Sequence, residues 1–275
     1  MQIAAFLPLA YQSRRPTHWE PQIFSSTTAG DPLIGHVATW RGERMDQAVR
    51  DKPVRRARVS VVTTTKWLVI ASGKGGTSKT TLTLNLGTRA AADGLRVGLL
   101  DSDEQETLTK WHRRRQEHED LLPLTLFTRP LSEISRAIAE IDGTSGLDIV
   151  IVDTPPGLDQ HLAISQLIRR ADFVLVPSSQ SMADLESVSE FMSVSIRLNA
   201  RAAFVLARTN QRWSSYRVAR QLLSRAGSLC PVDIRQLRDI EACHDHGLGV
   251  NEFDRARGAD DVDDVWRYVR RELEV

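Results

Sequence analysis

Ser72-Gly73-Lys74-Gly75-Gly76-Thr77-Ser78-Lys79-Thr80-Thr81 is the stretch whose reading decides the fold of this 275-residue chain. Gly73, Gly75 and Gly76 let backbone N–H groups close around phosphate oxygens with no Cβ in the way. A short apolar run, Trp67–Ala71, precedes the loop. Thr80–Asp93 follows it, with Leu82, Leu86 and Ala90 at helical spacing and a stop at Gly94. Strand, glycine-rich loop and helix form the setting in which such a loop binds phosphate. The helix beginning near Lys79 turns its positive end toward an anion. Lys79 is placed to reach the β- and γ-phosphates of a nucleoside triphosphate, and the Thr80 hydroxyl to ligate Mg²⁺. The predicted ligands are therefore ATP and Mg²⁺, bound by Gly73, Lys74, Gly75, Gly76, Thr77, Ser78, Lys79, Thr80 and Thr81. A glycine-rich turn with solvated lysines is the bland alternative, and two acidic strand ends weigh against it.

The first of these is Leu99-Leu100-Asp101-Ser102-Asp103-Glu104-Gln105. A carboxylate there can orient water against the γ-phosphate or hold a Mg²⁺-bound water, though Asp101 or Asp103 could equally cap the segment that follows. The second is Asp148-Ile149-Val150-Ile151-Val152-Asp153-Thr154-Pro155-Pro156-Gly157. A buried apolar strand ending in aspartate is the Walker B arrangement. Asp153 is placed to hold Mg²⁺ through water, and Thr154–Gly157 to sense the γ-phosphate.

Working outward, strand and helix patterns alternate. Arg96–Leu100, Leu124–Phe127, Asp148–Val152, Phe173–Val176 and Ala202–Ala207 read as strands. Glu106–Glu119, Leu131–Ile141, Gln160–Arg170, Asp184–Leu198 and Trp213–Ala226 read as helices, and Val262, Val265, Trp266, Val269 and Leu273 stripe a last one. The pattern predicts an α/β P-loop NTPase domain over 66–275, a three-layer sandwich on a mostly parallel sheet. Residues 1–65 carry no lasting period. They hold Pro8, Pro16, Pro21, Pro32 and Pro53 and a basic run at Arg55, Arg56 and Arg58, and are expected to be a poorly structured extension. It is a linker-like arm, a nucleic-acid-touching tail, or the product of a start placed upstream of the true one.

Basic and acidic residues nearly balance, 36 against 35, so any basic surface must be local. Two cysteines, Cys230 and Cys243, make no disulfide framework and fit a reducing cytosol. No apolar run is long enough to span a bilayer.

The loop departs from the general Walker A pattern: Ser78 stands where glycine precedes the lysine, and Lys74 is an additional lysine. A serine must avoid a strongly left-handed backbone, which bears on the turn geometry. The Lys-Gly-Gly-x-x-Lys-Thr-Thr form resembles the deviant Walker A ATPases of the ParA and MinD family. That resemblance implies that Lys74 reaches phosphates of the nucleotide held by a partner subunit, in an ATP-bridged homodimer. Asp101-Ser102-Asp103-Glu104-Gln105 is similar to the family's Asp-x-Asp-Pro-Gln, with Glu104 in place of proline, which implies that Asp103 is tied to hydrolysis and to the metal. Asp153-Thr154-Pro155-Pro156-Gly157 is the family's Asp-Thr-Pro-Pro-Gly. Arg208-Thr209-Asn210 lies where relatives contact adenine, implicating Asn210. Gly247-Leu248-Gly249-Val250-Asn251-Glu252 resembles the C-terminal Gly-x-x-Val-x-Glu of small ParA proteins.

The implied role is a slow ATPase in plasmid or chromosome partition. It is cytoplasmic, and nucleoid-associated when bound to ATP. Its dimer binds DNA non-specifically and is triggered by a ParB-like centromere-binding protein. Arg212, Arg217, Arg220 and Arg225 are the candidate DNA contacts, Arg217 and Arg220 sharing one helix face, unless they are a solvated, salt-bridged surface. Membrane attachment is not expected, because the last helix mixes acids with its arginines and its stripe suits the core. The cysteines lack the spacing of an iron–sulfur relative. Two other readings stay open: an accessory adaptor of conjugative DNA transfer of the VirC1 type, and an ATP-dependent small-molecule ligase.

Overall fold

The computed structural model describes residues 64–157 and 161–275. The expected N-terminal extension therefore lies, apart from Thr64 and Thr65, outside the described residues, as does Gln160, the expected start of one helix.

Six strands form one sheet among the described residues: β1 (Lys66–Ile70), β2 (Val97–Asp101), β3 (Thr125–Thr128), β4 (Ile149–Asp153), β5 (Phe173–Ser178) and β6 (Ala202–Leu206). Their order is β3-β2-β4-β1-β5-β6, and every pairing is parallel. The sequence predicts a mostly parallel sheet, and the alternation of strands with helices makes it wholly so. β4 reads Ile-Val-Ile-Val-Asp and is buried throughout, as a strand covered on both faces must be. Pairing aligns Ile70, Asp101 and Asp153 in one row at the carboxyl ends of β1, β2 and β4.

The helices are α1 (Lys79–Ala92), α2 (Thr107–Arg115), α3 (Ile134–Asp142), α4 (His161–Arg170), α5 (Met182–Arg197), α6 (Ser214–Ala226), α7 (Arg238–Asp245) and α8 (Ala259–Leu273). Side chains alternate along β1. Leu68 and Ile70 join the core shared with α1, α2, α7 and α8, while Trp67 and Val69 join the core shared with α3–α6. Two helical layers therefore sandwich the sheet. The stripe Val262, Val265, Trp266, Val269 and Leu273 of α8 is buried in the first of these cores. Among the described residues no helix is long and apolar enough to cross a membrane.

Two elements differ from the sequence reading. The helix expected over 106–119 ends at Arg115, where Glu117 and His118 tighten to i→i+3 bonds with Arg114 and Arg115. α7 leaves no periodic trace in the sequence, because Ile240 and Cys243 are its only buried residues and eight residues hold too short a period to register.

Candidate functional site

The chain leaves β1 at Ile70 and enters α1 at Lys79, and the connecting loop is braced from within. The Ser72 and Thr77 hydroxyls lie 2.6 Å apart, one donating to the other, and both lie within reach of the Lys74 carbonyl, at 3.1 and 3.3 Å, which the remaining hydroxyl proton can serve. A Cβ on Gly73 would lie 2.7 Å from Ser187 Oγ and 3.2 Å from the Ser187 carbonyl oxygen, so α5 packs where only glycine fits. Ser78 sits at φ 73°, ψ 26° and caps α1 without a side-chain hydrogen bond. The expectation that serine avoids this region fails here: the turn into α1 keeps the left-handed geometry a glycine would take, at the cost of some strain.

Lys79 folds back over the loop, its Nζ donating to the Lys74 carbonyl at 2.9 Å and to Ser72 Oγ at 3.4 Å. Burial lowers its pKa, against the pull of Asp153 and Asp103. Thr80 Oγ1 donates to Asp153 Oδ2 at 2.6 Å. Asp153 is fully buried, and its Oδ1 has no hydrogen-bond partner. Burial, helped by the charge of Asp101, pushes the Asp153 carboxyl up to about 7 against the Thr80 hydrogen bond.

A buried, unpartnered carboxylate oxygen beside a hydroxyl is a donor set that fits Mg²⁺. Among the described residues no three His, Cys, Asp or Glu side chains gather into a cage. The set therefore suits a hard cation that keeps several waters and takes the rest of its ligands from phosphate.

The two candidate aspartates after β2 divide their work. Asp101 Oδ2 accepts from the N–H and Oγ1 of Thr109, both at 2.8 Å, so it satisfies the first turn of α2. Its Oδ1 accepts from the Asp103 N–H at 3.2 Å, and burial raises its pKa. The capping alternative thus belongs to Asp101. Asp103 lines the cleft beside the loop, its Oδ1 accepting from the Gln105 N–H at 2.9 Å.

The cleft, of about 370 Å³, runs from Gly75–Thr81, Asp103 and Pro156 to a far wall of Arg208, Gln236, Leu237, Ile240 and Glu241. Asn210 does not line it. Its Oδ1 accepts from the Arg212 N–H, and its own N–H donates to Gln180 Oε1. Sequence reasoning missed the wall at Ile234–Glu241. The segment reaches the site because Thr209 and Arg235 form an isolated parallel bridge beyond β6, and because Asp261 holds the Arg235 guanidinium and N–H.

Lys74 lies elsewhere. Its Nζ is 2.7 Å from Asp184 Oδ1 in the first turn of α5, and its side chain is 42% exposed. Burial would raise the Asp184 pKa, but hydrogen bonds from Lys74 and Ser179 hold it below the usual range. The candidate arginines also separate. Arg220 donates to Asp233 at 2.6 Å, whereas Arg212, Arg217 and Arg225 are exposed with no acidic partner among the described residues. Arg217 and Arg220 stand three apart on α6, as expected, but only Arg220 is held by an acidic partner.

The family described as the CobQ/CobB/MinD/ParA nucleotide binding domain matches residues 68–260. The maintenance of carboxysome distribution protein A of Gloeobacter kilaueensis is 27% identical over 210 residues, covering 75% of this chain and 93% of that protein. Protein ParA of Rhizobium radiobacter is 36% identical over 112 residues, covering 40% of this chain and 47% of that protein, about half its length. The fold is shared with a Cyanothece McdA variant in complex with ATP, at TM-score 0.60 and 19% identity, over 77% of this chain and 97% of that one.

Proposed function

The chain belongs to the CobQ/CobB/MinD/ParA family of nucleotide-binding domains, and from that premise we propose that it is a ParA-like ATPase working as a nucleotide-gated switch. ATP and Mg²⁺ enter the cleft, a second copy joins across the nucleotide, and the dimer holds DNA without sequence preference. A ParB-like protein then triggers hydrolysis and release during plasmid or chromosome partition, which puts the ATP form on the nucleoid. The distribution role named for the Gloeobacter relative and the ParA name of the Rhizobium relative support this reading.

The observation that carries it is the divergence of two lysines from one loop. Lys79 is buried in its own cradle, where it and the loop N–H groups hold the β- and γ-phosphates. Lys74 turns out of that cradle and stands half-exposed against Asp184, away from the phosphates its own loop would hold. Thr80 and Asp153 hold Mg²⁺, which supplies positive charge against the phosphates when bound. Asp103, on the cleft wall, orients the attacking water.

Sedimentation of the full chain with Mg-ATP tests the switch. Asp103→Ala is expected to stay dimeric, the wild type to return to monomer as ATP is consumed, and Lys79→Ala to remain monomeric throughout. A monomeric Asp103→Ala with ATP bound would overturn the dimer reading, and unchanged ATP affinity in Lys79→Ala would overturn the site.

A further inference from the structure

The segment Gly247–Glu252 is absent from the cleft lining, yet it is bonded to both helices that leave the cleft. Glu252 Oε1 and Oε2 accept from the Arg115 guanidinium at 2.6 Å each, at the end of α2. Arg115 is 4% exposed and also donates to the Leu122 carbonyl. Trp111 Nε1 donates to the Leu248 carbonyl, and the Arg115 guanidinium lies over the Trp111 ring. On the other side, the Val250 N–H donates to Asn85 Oδ1 of α1 at 2.7 Å. The approach is close enough to require the glycines. A Cβ on Gly247, at φ +71°, would lie 2.3 Å from the Arg115 nitrogen, and one on Gly249 would lie 2.0 Å from Thr88 Oγ1.

α2 depends on such anchoring. It is nine residues long, about 13 Å, too short to hold itself together in water. Its N-cap residue, Glu106, makes no side-chain cap and sits at φ 51°. Asp101 grips its front through Thr109, and Glu252 grips its rear through Arg115. Asp103 hangs from the front: its N–H donates to Asp101 and its carbonyl accepts from the Glu106 N–H at 2.9 Å. Because the same strap is bonded to α1, which begins at Lys79 and Thr80, it fixes the two helices against each other.

We propose that Glu252 and Arg115 are positioning residues for hydrolysis, holding α2, and through it Asp103, in place against the phosphate loop. This rests on the ATPase reading above. Neither residue touches the nucleotide cleft, so the pair acts on turnover and leaves ATP binding alone.

Glu252→Gln keeps the shape and removes the charge, and Arg115→Lys keeps the charge and removes the two-pronged fork. In the full-length protein without nucleotide, amide exchange over 103–109 is expected to rise about tenfold in both variants, with β1 and β4 unchanged. With Mg-ATP, kcat is expected to fall about tenfold while KM and ATP affinity stay within about twofold. Glu252→Asp is expected to recover part of the rate. Unchanged exchange over 103–109 overturns the proposal, and so does raised exchange with unchanged kcat. A parallel loss of affinity, rate and thermal stability also overturns it, since that is general loosening. If wild type and Lys79→Ala share one background rate, the ATPase reading fails, and the exchange measurement alone still decides whether the strap holds Asp103.

Discussion

Lys74 Nζ lies 2.7 Å from Asp184 Oδ1, so the extra lysine of the phosphate loop is tied within its own chain to the first turn of α5. The pair draws the Lys74 ammonium toward its own chain, so in the proposed dimer Asp184 would compete with a phosphate across the interface for its direction. At 42% exposure of the lysine, such a pair is worth at most about 1 kcal/mol. Asp184→Asn is expected to tighten ATP-dependent dimerisation by about fivefold or less. Lys74→Ala is expected to abolish dimerisation while leaving ATP bound. Sedimentation equilibrium over a range of ATP concentrations checks both. Weaker dimerisation in Asp184→Asn would mean that the aspartate assists Lys74 in the dimer.

Asp153, the proposed Mg²⁺ ligand, carries a strong pH dependence. Its carboxyl is pushed from 3.8 up to about 7, first by burial. A raised carboxyl stabilises the fold fully below its unfolded value, and that stability is lost as pH rises through about 7, because the native state holds a proton the unfolded chain has released. Nucleotide-free wild type is therefore expected to lose melting temperature as pH rises from about 4 to about 7 and to level off above that, the window the shift defines. Asp153→Asn is expected to flatten that slope and melt higher at pH 8, the buried charge having cost about 1–3 kcal/mol. Mg²⁺ favours the ionised form, so Mg-nucleotide binding at pH 7, where the carboxyl is about half protonated, should release about half a proton more from the wild type than from the variant. Calorimetry in two buffers of different ionisation enthalpy measures this. Equal release in both proteins would remove Asp153 from the metal site.

These relationships were legible in the sequence to different depths. The phosphate loop and the two strand-end aspartates were readable because each is contiguous and follows an apolar run. Their alignment is then set by parallel register, which places Asp101 beside Asp153. The far wall at Ile234–Glu241 was not readable, since it reaches the cleft through an isolated bridge and an ion pair to Asp261, and neither leaves a periodic trace. Asn210 stands where the resemblance implies an adenine contact, but its side chain closes its own turn and Arg208 lines the cleft. Ser78 is a conflict between local preference and global need. The loop must enter α1 through a left-handed residue, and the bonds among Ser72, Lys74 and Thr77 hold it there against serine's preference.

The arginines of α6 give the last prediction, because structure and charge pull them apart. Arg220 donates to Asp233, a carboxylate whose side chain is 3% exposed and which also accepts from the Tyr216 hydroxyl at 2.8 Å. Removing Arg220 leaves that buried carboxylate without its cationic partner, so Arg220→Ala is expected to cost about 1–3 kcal/mol, read as a lower melting temperature. Arg217 is exposed with no acidic partner among the described residues, and Arg217→Ala should change stability by about 0.5 kcal/mol or less. If α6 faces DNA in the ATP-bound dimer, Arg217→Ala should also weaken retention on duplexes of any sequence and lower the salt slope by about one. Arg220→Ala should affect DNA only to the extent that it unfolds the protein, so its salt slope should match the wild type. An unchanged slope in Arg217→Ala, or a lowered slope in Arg220→Ala with the fold intact, would move the DNA-binding face off the exposed side of α6.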